Sequence, residues 1–279
     1  MTLKECTLPN GQRVFYRSKA DVDILTREIF AEPFYLRHGL RIEDGNCIFD
    51  VGANIGFFLL QLGQQLQRAS VYSFEPVPEV FEVLRRNAER HCLLDHQLFN
   101  CGLSHTPGKA SFTYFPRTSV ASTMYPDSSR EFRLNSRRFV LAELAARSRI
   151  FRAVLRVTPE WLWYPLTEAI RRYYQRAREV TCELRRLSDV IDEHGVRQID
   201  LLKVDTEGAE EDVLRGIEPH HWPLIGQLVV EVHHGRESVR RMESLLRAQG
   251  FATVHEQLLP TVEHLHIIYA RRGGQVARG

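Results

Sequence analysis

The chain has 279 residues, 43% of them hydrophobic and 26% charged, with a formal net charge of +2, an ordinary globular composition with enough apolar mass for a sizeable core. A transmembrane helix is excluded, because no window of about 18 uncharged apolar residues exists, and the amino-terminal MTLKECTLPNGQRVFY lacks the roughly 7–15 apolar residues of a signal peptide. Five cysteines (Cys6, Cys47, Cys92, Cys101 and Cys182) form no C-x-x-C pair, so neither a disulfide framework nor a zinc site is expected and a reduced, cytoplasmic protein is the default reading.

Residues 6–8 and 12–16 flank Pro9-Asn10-Gly11 and read as a β-hairpin. Asp21 or Asp23 is placed to cap a short helix through Phe30, which Pro33 ends. Residues 1–45 thus form a hairpin-and-helix extension. From Cys47 the pattern alternates: an apolar run over 47–51, helical spacing over 57–66, a second run over 71–74, then a helix that Pro78 opens and that runs to about Arg90. Strand and helix in turn imply a parallel sheet with helices on its faces. Residues 97–101 and 110–115 are further strand candidates. After Arg178 the alternation resumes, with strands expected over 180–184, 199–204 and 224–232, a helix capped by Ser188, and a helix over 237–249 closed by Gly250. Residues 251–254 and 264–269 read as a final antiparallel pair. The main domain spans 46–271, and residues 272–279 look like a disordered tail.

Residues 128–178 break this rhythm. They carry twelve Arg, no Lys and four Glu, a net +8 that leaves −6 for the rest of the chain. They read as helices inserted into the domain. Val140, Leu144, Phe151 and Leu155 share one helical face, and Arg149, Arg152 and Arg156 the other. The preferred reading is a lid or an oligomer contact. The others are docking on an anionic membrane surface, which would make the protein peripheral, and a groove for a phosphorylated or carrier-bound substrate. Aromatic and basic residues are not interleaved on a recognisable motif, so nucleic-acid binding is set aside.

Asp50-Val51-Gly52-Ala53-Asn54-Ile55-Gly56 joins a strand to a helix. Its glycines suit a tight turn and close approach of a ligand to the backbone, and the helix N-terminus offers free N–H groups. The D-x-G-x-x-x-G form departs from the G-x-G-x-x-G of dinucleotide sites. Its Asp50 suits an amine-bearing ligand such as S-adenosylmethionine. Glu75 ends the second strand, where a carboxylate can accept from both ribose hydroxyls. The bland alternative is a carboxylate that complements the following helix dipole. Farther on, Lys203, Asp205 and Glu207 crowd one strand end, and Glu231, His233 and His234 the next. Such a crevice can do acid–base work on a hydroxyl, with His233 as the base. The alternatives are a divalent cation on Asp205, Glu231 and His233, or plain helix capping by Asp205 and Glu207 with Lys203 as counter-ion. A metal-free crevice is preferred, and His220 and His221 are assigned to the surface.

Three blocks carry a family resemblance: Phe49 through Phe57, Tyr72-Ser73-Phe74-Glu75-Pro76-Val77-Pro78, and Asp200 through Glu210. With Asn87, Asn100 and Gly102-Leu103-Ser104, they make the chain similar, over roughly residues 45–127 and 179–270, to the FkbM-type methyltransferases of the class I S-adenosylmethionine-dependent enzymes. The resemblance implies a Rossmann-like α/β fold with a mostly parallel seven-stranded sheet, S-adenosylmethionine as cofactor, and methyl transfer to a hydroxyl of a small molecule, sugar or natural product. The cofactor residues it implies are Asp50, Gly52, Asn54, Gly56, Glu75, Pro76, Asn100 and Asp205. The acceptor-side residues are Lys203, Asp205, Glu207, Glu231 and His233. A methyltransferase-like scaffold without turnover and a nicotinamide-dependent oxidoreductase are the competing readings.

Overall fold

Short apolar strands that alternate with helices can bury both sheet faces only when the strands run parallel between two helical layers. The computed structural model, which describes residues 3–31, 33–126, 134, 136–138, 140–141, 145, 148–233, 235–258 and 265–273, shows this arrangement. The chain runs β1 (Lys4–Thr7), β2 (Arg13–Tyr16), α1 (Lys19–Leu25) with a π-helical continuation (Thr26–Ala31), β3 (Asn46–Val51), α2 (Phe57–Gln65), β4 (Ala69–Phe74) and α3 (Pro78–His91). Next come β5 (Asp95–Phe99), β6 (Gly102–Leu103), β7 (Gly108–Tyr114), α4 (Arg149–Val157), α5 (Tyr164–Tyr174), β8 (Arg178–Arg185) and α6 (Leu187–Glu193). The last elements are β9 (Leu201–Val204), α7 (Glu210–Arg215), β10 (Gln227–Val232), α8 (Gly235–Ala248), β11 (Phe251–Leu258) and β12 (His266–Arg272). Among the described residues, no helix is long and apolar enough to cross a membrane.

The main sheet has seven strands in the order β11-β12-β10-β9-β3-β4-β5. β10, β9, β3, β4 and β5 are parallel, and β12 runs antiparallel to both neighbours. The expected fold class is therefore present. Alternation along each strand divides the core. Ile48, Val71, Leu201, Val229 and Ile267 face one layer, packed with α2, α3 and the amino-terminal elements. Phe49, Tyr72, Leu202, Val230 and Ile268 face the other, packed with α6 and α8.

The amino-terminal hairpin and helix are present, and Val14, Val22, Leu25, Ile29 and Tyr35 pack them into the first core layer. Several expectations need correction. The α1 cap is Ser18, whose Oγ accepts from Asp21 N, and not Asp21 or Asp23. β7 and β8 leave the main sheet and pair antiparallel with each other, in a three-stranded sheet with β6. No helix separates β5, β6 and β7, so there is no crossover to make them successive parallel neighbours. Ser188 lies inside α6, where its Oγ accepts from Glu218 N at 2.7 Å and contacts His221 Nδ1 at 2.8 Å. His221 is accordingly buried rather than a surface residue. Arg272 belongs to β12, not to a tail: its guanidinium donates to the carbonyls of Ile225, Gln249 and Trp222 at 2.8, 2.6 and 2.6 Å. Leu144, His234 and the tail from residue 274 lie outside the described residues.

Gly63 sits in α2, and a Cβ there would meet nothing within 4 Å. Gly63→Ala is expected to stabilise the protein by about 0.5–1 kcal/mol, because alanine loses less backbone entropy in a helix. Thermal denaturation checks this, and a lowered Tm would contradict it.

Candidate active site and cofactor cavity

The loop after β3 turns sharply because three residues adopt left-handed backbone: Gly52 (φ 83), Asn54 (φ 47) and Gly56 (φ 88). Gly52 N and Ala53 N both donate to Phe74 O, at 3.0 and 2.9 Å, which fastens the loop to the end of β4. A Cβ on Gly52 would lie 1.7 Å from the carbonyl oxygen of Asp205. The glycine therefore serves the tight turn and admits the neighbouring chain. Gly56 likewise accommodates Leu84, whose Cδ1 would be 2.7 Å from an added Cβ. Asn87, wholly buried, staples this region: it accepts from Phe15 N at 2.7 Å and donates to Ile55 O at 2.8 Å and Phe15 O at 3.1 Å.

Asp50 and Lys203 are register partners on adjacent parallel strands and point to the same face. Lys203 Nζ lies 2.9 Å from Asp50 Oδ1 and also donates to Gly52 O at 3.3 Å. Burial pulls the ammonium down, but the charges of Asp50 and Asp205 outweigh it and hold it above its usual range. The amine expected opposite Asp50 is thus supplied by the protein, and Asp50 underpins the loop from beneath. Lys203, expected among acceptor-side groups, is committed chiefly to that pair.

A cavity of about 810 Å³ opens above these groups, within the size range of small-molecule sites. At one end stand Asn54, Glu75 and Pro76. Glu75 accepts from Asn54 N at 3.1 Å and Val77 N at 2.9 Å. Burial pushes its carboxyl up to about 7, against the lowering effect of those two N–H groups. Asn100, expected among the cofactor residues, donates its amide to Glu75 O and Pro76 O at 2.9 and 3.1 Å and so positions the strand end.

At the other end the β9 and β10 termini bring Asp205, Glu207, Glu231 and His233 together. His233 Nδ1 is 2.9 Å from Glu210 Oε1, and its Nε2 is 3.3 Å from Glu207 Oε2 and 3.7 Å from Glu231 Oε1. Burial alone would lower the imidazole, but the charges of Glu207 and Glu210 outweigh it and hold His233 well above its usual value. Burial raises Glu210 too, yet His233 and Gly208 N–H reverse this and leave it lowered. Burial pushes Glu207 up to about 7. Burial, then the charge of Asp205, drives Glu231 well above the carboxylate range. These charges favour the cationic form of His233 in the free site, with both ring nitrogens against carboxylates.

The sequence reading missed three residues here. Tyr35 OH donates to Asp205 Oδ2 at 2.8 Å and reaches Glu231 Oε2 at 3.4 Å. Glu28, from the π-helical turn, lines the same space, and burial followed by the charge of Asp205 pushes it up to about 8. Glu210 stood in the third sequence block, where a second acid three residues after Glu207 was the available signal. Tyr35 and Glu28 had none. The insertion contributes Ile170, Arg171, Tyr174 and Gln175 to the cavity wall.

A family model described as the methyltransferase FkbM domain matches residues 50–252. The chain is 35% identical over 267 residues, 95% of either chain, to the 31-O-demethyl-FK506 methyltransferase FkbM of Streptomyces tacrolimicus. It is 32% identical over 264 residues to the methyltransferase sdnD of Sordaria araneosa, covering 91% of this chain and 92% of that one. Among solved structures, it aligns with the TYW2 protein of M. jannaschii in complex with AdoMet at 11% identity and a TM-score of 0.43, over 97% and 87% of the two chains.

The raised Glu75 gives a signed expectation. Its carboxylate form is the stronger acceptor for ribose hydroxyls, and burial makes the free site hold a proton up to about pH 7. S-adenosylmethionine should therefore bind more tightly as pH rises through 7, then level off. Glu75→Gln should flatten this dependence, and Glu75→Ala should weaken binding by about 1–3 kcal/mol. Calorimetric titration between pH 6 and 8.5 decides; a wild-type affinity independent of pH would rule out Glu75 as the ligand group.

Proposed function

The chain belongs to the FkbM methyltransferase domain family, and on that premise we propose that it transfers the methyl group of S-adenosylmethionine to a hydroxyl oxygen of a small molecule. The observation that carries this reading is one cavity with a nucleoside-type end, at Glu75 and Asn54, and a carboxylate-rich end, at Asp205, Glu207 and Glu231. The name of the Streptomyces relative, an O-demethyl substrate methyltransferase, supports it.

S-adenosylmethionine, when bound, supplies a methyl group made electrophilic by a sulfonium. Glu75 holds the nucleoside end. Tyr35 fixes the directions of Asp205 and Glu231, so that a hydroxyl entering between them finds acceptors already in place. The hydroxyl proton passes to a carboxylate of this cluster, not to His233. Held at Glu75 and Asn54, S-adenosylmethionine would supply the methyl carbon to that oxygen, the carbon–sulfur electron pair remaining on sulfur. An amine acceptor fits less well: in this acidic pocket it would be held as an ammonium without a lone pair. Labelled methyl donor offered with matched alcohol and amine acceptors should give a methyl ether. An N-methyl product would overturn the reading, and no transfer at all would favour a scaffold.

The insertion acts in this reading as a lid on the cavity, supported by Ile170, Arg171 and Tyr174 of α5 in its wall. Replacing residues 128–176 with a Gly/Ser bridge should preserve S-adenosylmethionine affinity and abolish methyl transfer to the acceptor. Loss of folding in this variant would make the segment part of the core instead.

A second role for the same segment is favoured by its outer surface. Ile150, Val154 and Val157 form an exposed stripe on α4, at i, i+4 and i+7, with Trp161 and Leu162 exposed beyond it. The arginine-rich setting suits an anionic membrane. Vesicles of anionic lipid should shift Trp161 emission to the blue at low salt and not at high salt. An unchanged spectrum at low salt would dismiss membrane docking and leave the lid.

A further inference from the structure

We propose that Asp205, Glu231 and His233 form a binding site for a divalent transition-metal cation at the acceptor end of the cavity. The inference deepens the reading of this site as an O-methyltransferase and rests on it for the cation's role.

One donor atom from each of the three residues lies within 4.8 Å of the other two. Donors about 2.1 Å from one ion sit about 3–4 Å apart, so a small contraction closes the set. The donors come from rigid places. Asp205 directly follows β9, Glu231 is the penultimate residue of β10, and His233 directly follows it.

The imidazole is aimed by a group that would not touch the ion. Glu210, wholly buried and held by Gly208 N at 2.7 Å, fixes His233 Nδ1 at 2.9 Å and turns Nε2 toward the carboxylates. A carboxylate behind a ligating histidine sets its orientation and basicity. Asp205 is positioned in the same manner, since Tyr35 OH donates to its Oδ2 at 2.8 Å. Charge points the same way. Glu28, Asp205, Glu207 and Glu231 all line this space, while Lys203 lies 3.7 Å from Asp205 but 2.9 Å from Asp50, where it is committed.

A second group of metal-competent residues, Asp192, His220 and His221, differs in these respects. Asp192 and His220 are exposed, and His221 is already bound to Ser188 and Asp192. It serves as the control.

Two carboxylate oxygens and one imidazole form a mixed donor set that first-row divalent transition metals accept, and Mn²⁺, which takes carboxylate oxygens readily, is the probe. A cation there would bind the acceptor hydroxyl and lower its pKa, so that the proton leaves to a neighbouring carboxylate without a histidine base. The proposal departs from the metal-free crevice that the sequence alone favoured.

The test uses the full chain stripped with chelator and titrated with Mn²⁺ alone, followed by calorimetry and by loss of the free-ion electron paramagnetic signal. One ion per chain is expected. Glu231→Gln and His233→Gln should each weaken binding tenfold or more, with thermal melts confirming that they fold. Glu210→Gln should weaken it by about 10–100-fold through His233, and Asp192→Asn should leave it unchanged. No Mn²⁺ uptake by the wild type, or uptake that falls only in Asp192→Asn, overturns the site. Methyl transfer and S-adenosylmethionine binding are measured in parallel. A chain that binds Mn²⁺ at these residues but methylates no alcohol keeps the site and loses the proposed reaction. One that methylates undiminished in excess EDTA and binds no Mn²⁺ keeps the reaction and loses the site.

Discussion

The buried pair of Lys203 and Asp50 is the contact on which the rest of the site depends. It joins residues 153 positions apart on neighbouring central strands, at matched register. The same ammonium reaches Gly52 O, so it also sets the first turn of the loop. Taking both charges out of water is costly, and removing one partner would strand the other at a cost of about 3–5 kcal/mol. Asp50 Oδ2 has no hydrogen-bond partner among the described residues, so this carboxylate is stabilised mainly through its other oxygen. The loop can then lie flat enough for the Asp205 carbonyl to cross it where any side chain would collide.

From that crossing the cavity gains two ends with separate tasks. The loop and the β4 terminus present Asn54 and Glu75, while the β9 and β10 termini present Asp205, Glu231 and His233. Both sets project beyond the carboxyl ends of parallel strands, the usual ligand crevice of open α/β sheets. The third wall comes from the amino-terminal segment through Leu25, Glu28 and Tyr35. Folding of the first 35 residues is therefore inseparable from site assembly, since Tyr35 links the core layer to Asp205 and Glu231.

The sheet and both strand-end motifs were legible in the sequence because periodicity and glycine spacing are local signals. Glu75 and the 203–210 block could be placed from strand ends alone. Partner choice was not legible, because it is decided by register between distant strands. Lys203 stands in the wholly buried run Leu201-Leu202-Lys203-Val204, and that position already required an acid on a neighbouring strand; which acid only the β3–β9 ladder shows. Tyr35 and Glu28 carry no motif, so their place at the site emerged only from packing. His221 looked like a loop residue because nothing local signals the hydroxyl of Ser188, 33 positions earlier. The excursion of β7 and β8 into their own small sheet was hidden for the same reason: both read as sound strands, and strand identity does not name a neighbour.

That small sheet has an evolutionary consequence. The β7–β8 ladder closes with Tyr114 opposite Arg178, so the intervening stretch leaves and re-enters at adjacent points, its first part tied back by Ser119, Thr123 and Tyr125 to Asp21, Glu207 and Asp212. Doubling the length of such a pendant costs only about 0.6 kcal/mol of closure entropy. It can be lengthened, trimmed or exchanged without moving a single register in the seven-stranded sheet. In the proposed reading of residues 128–176 as a lid, acceptor choice and donor chemistry would be separable traits, with new substrates reached by rewriting that segment above an unchanged sheet.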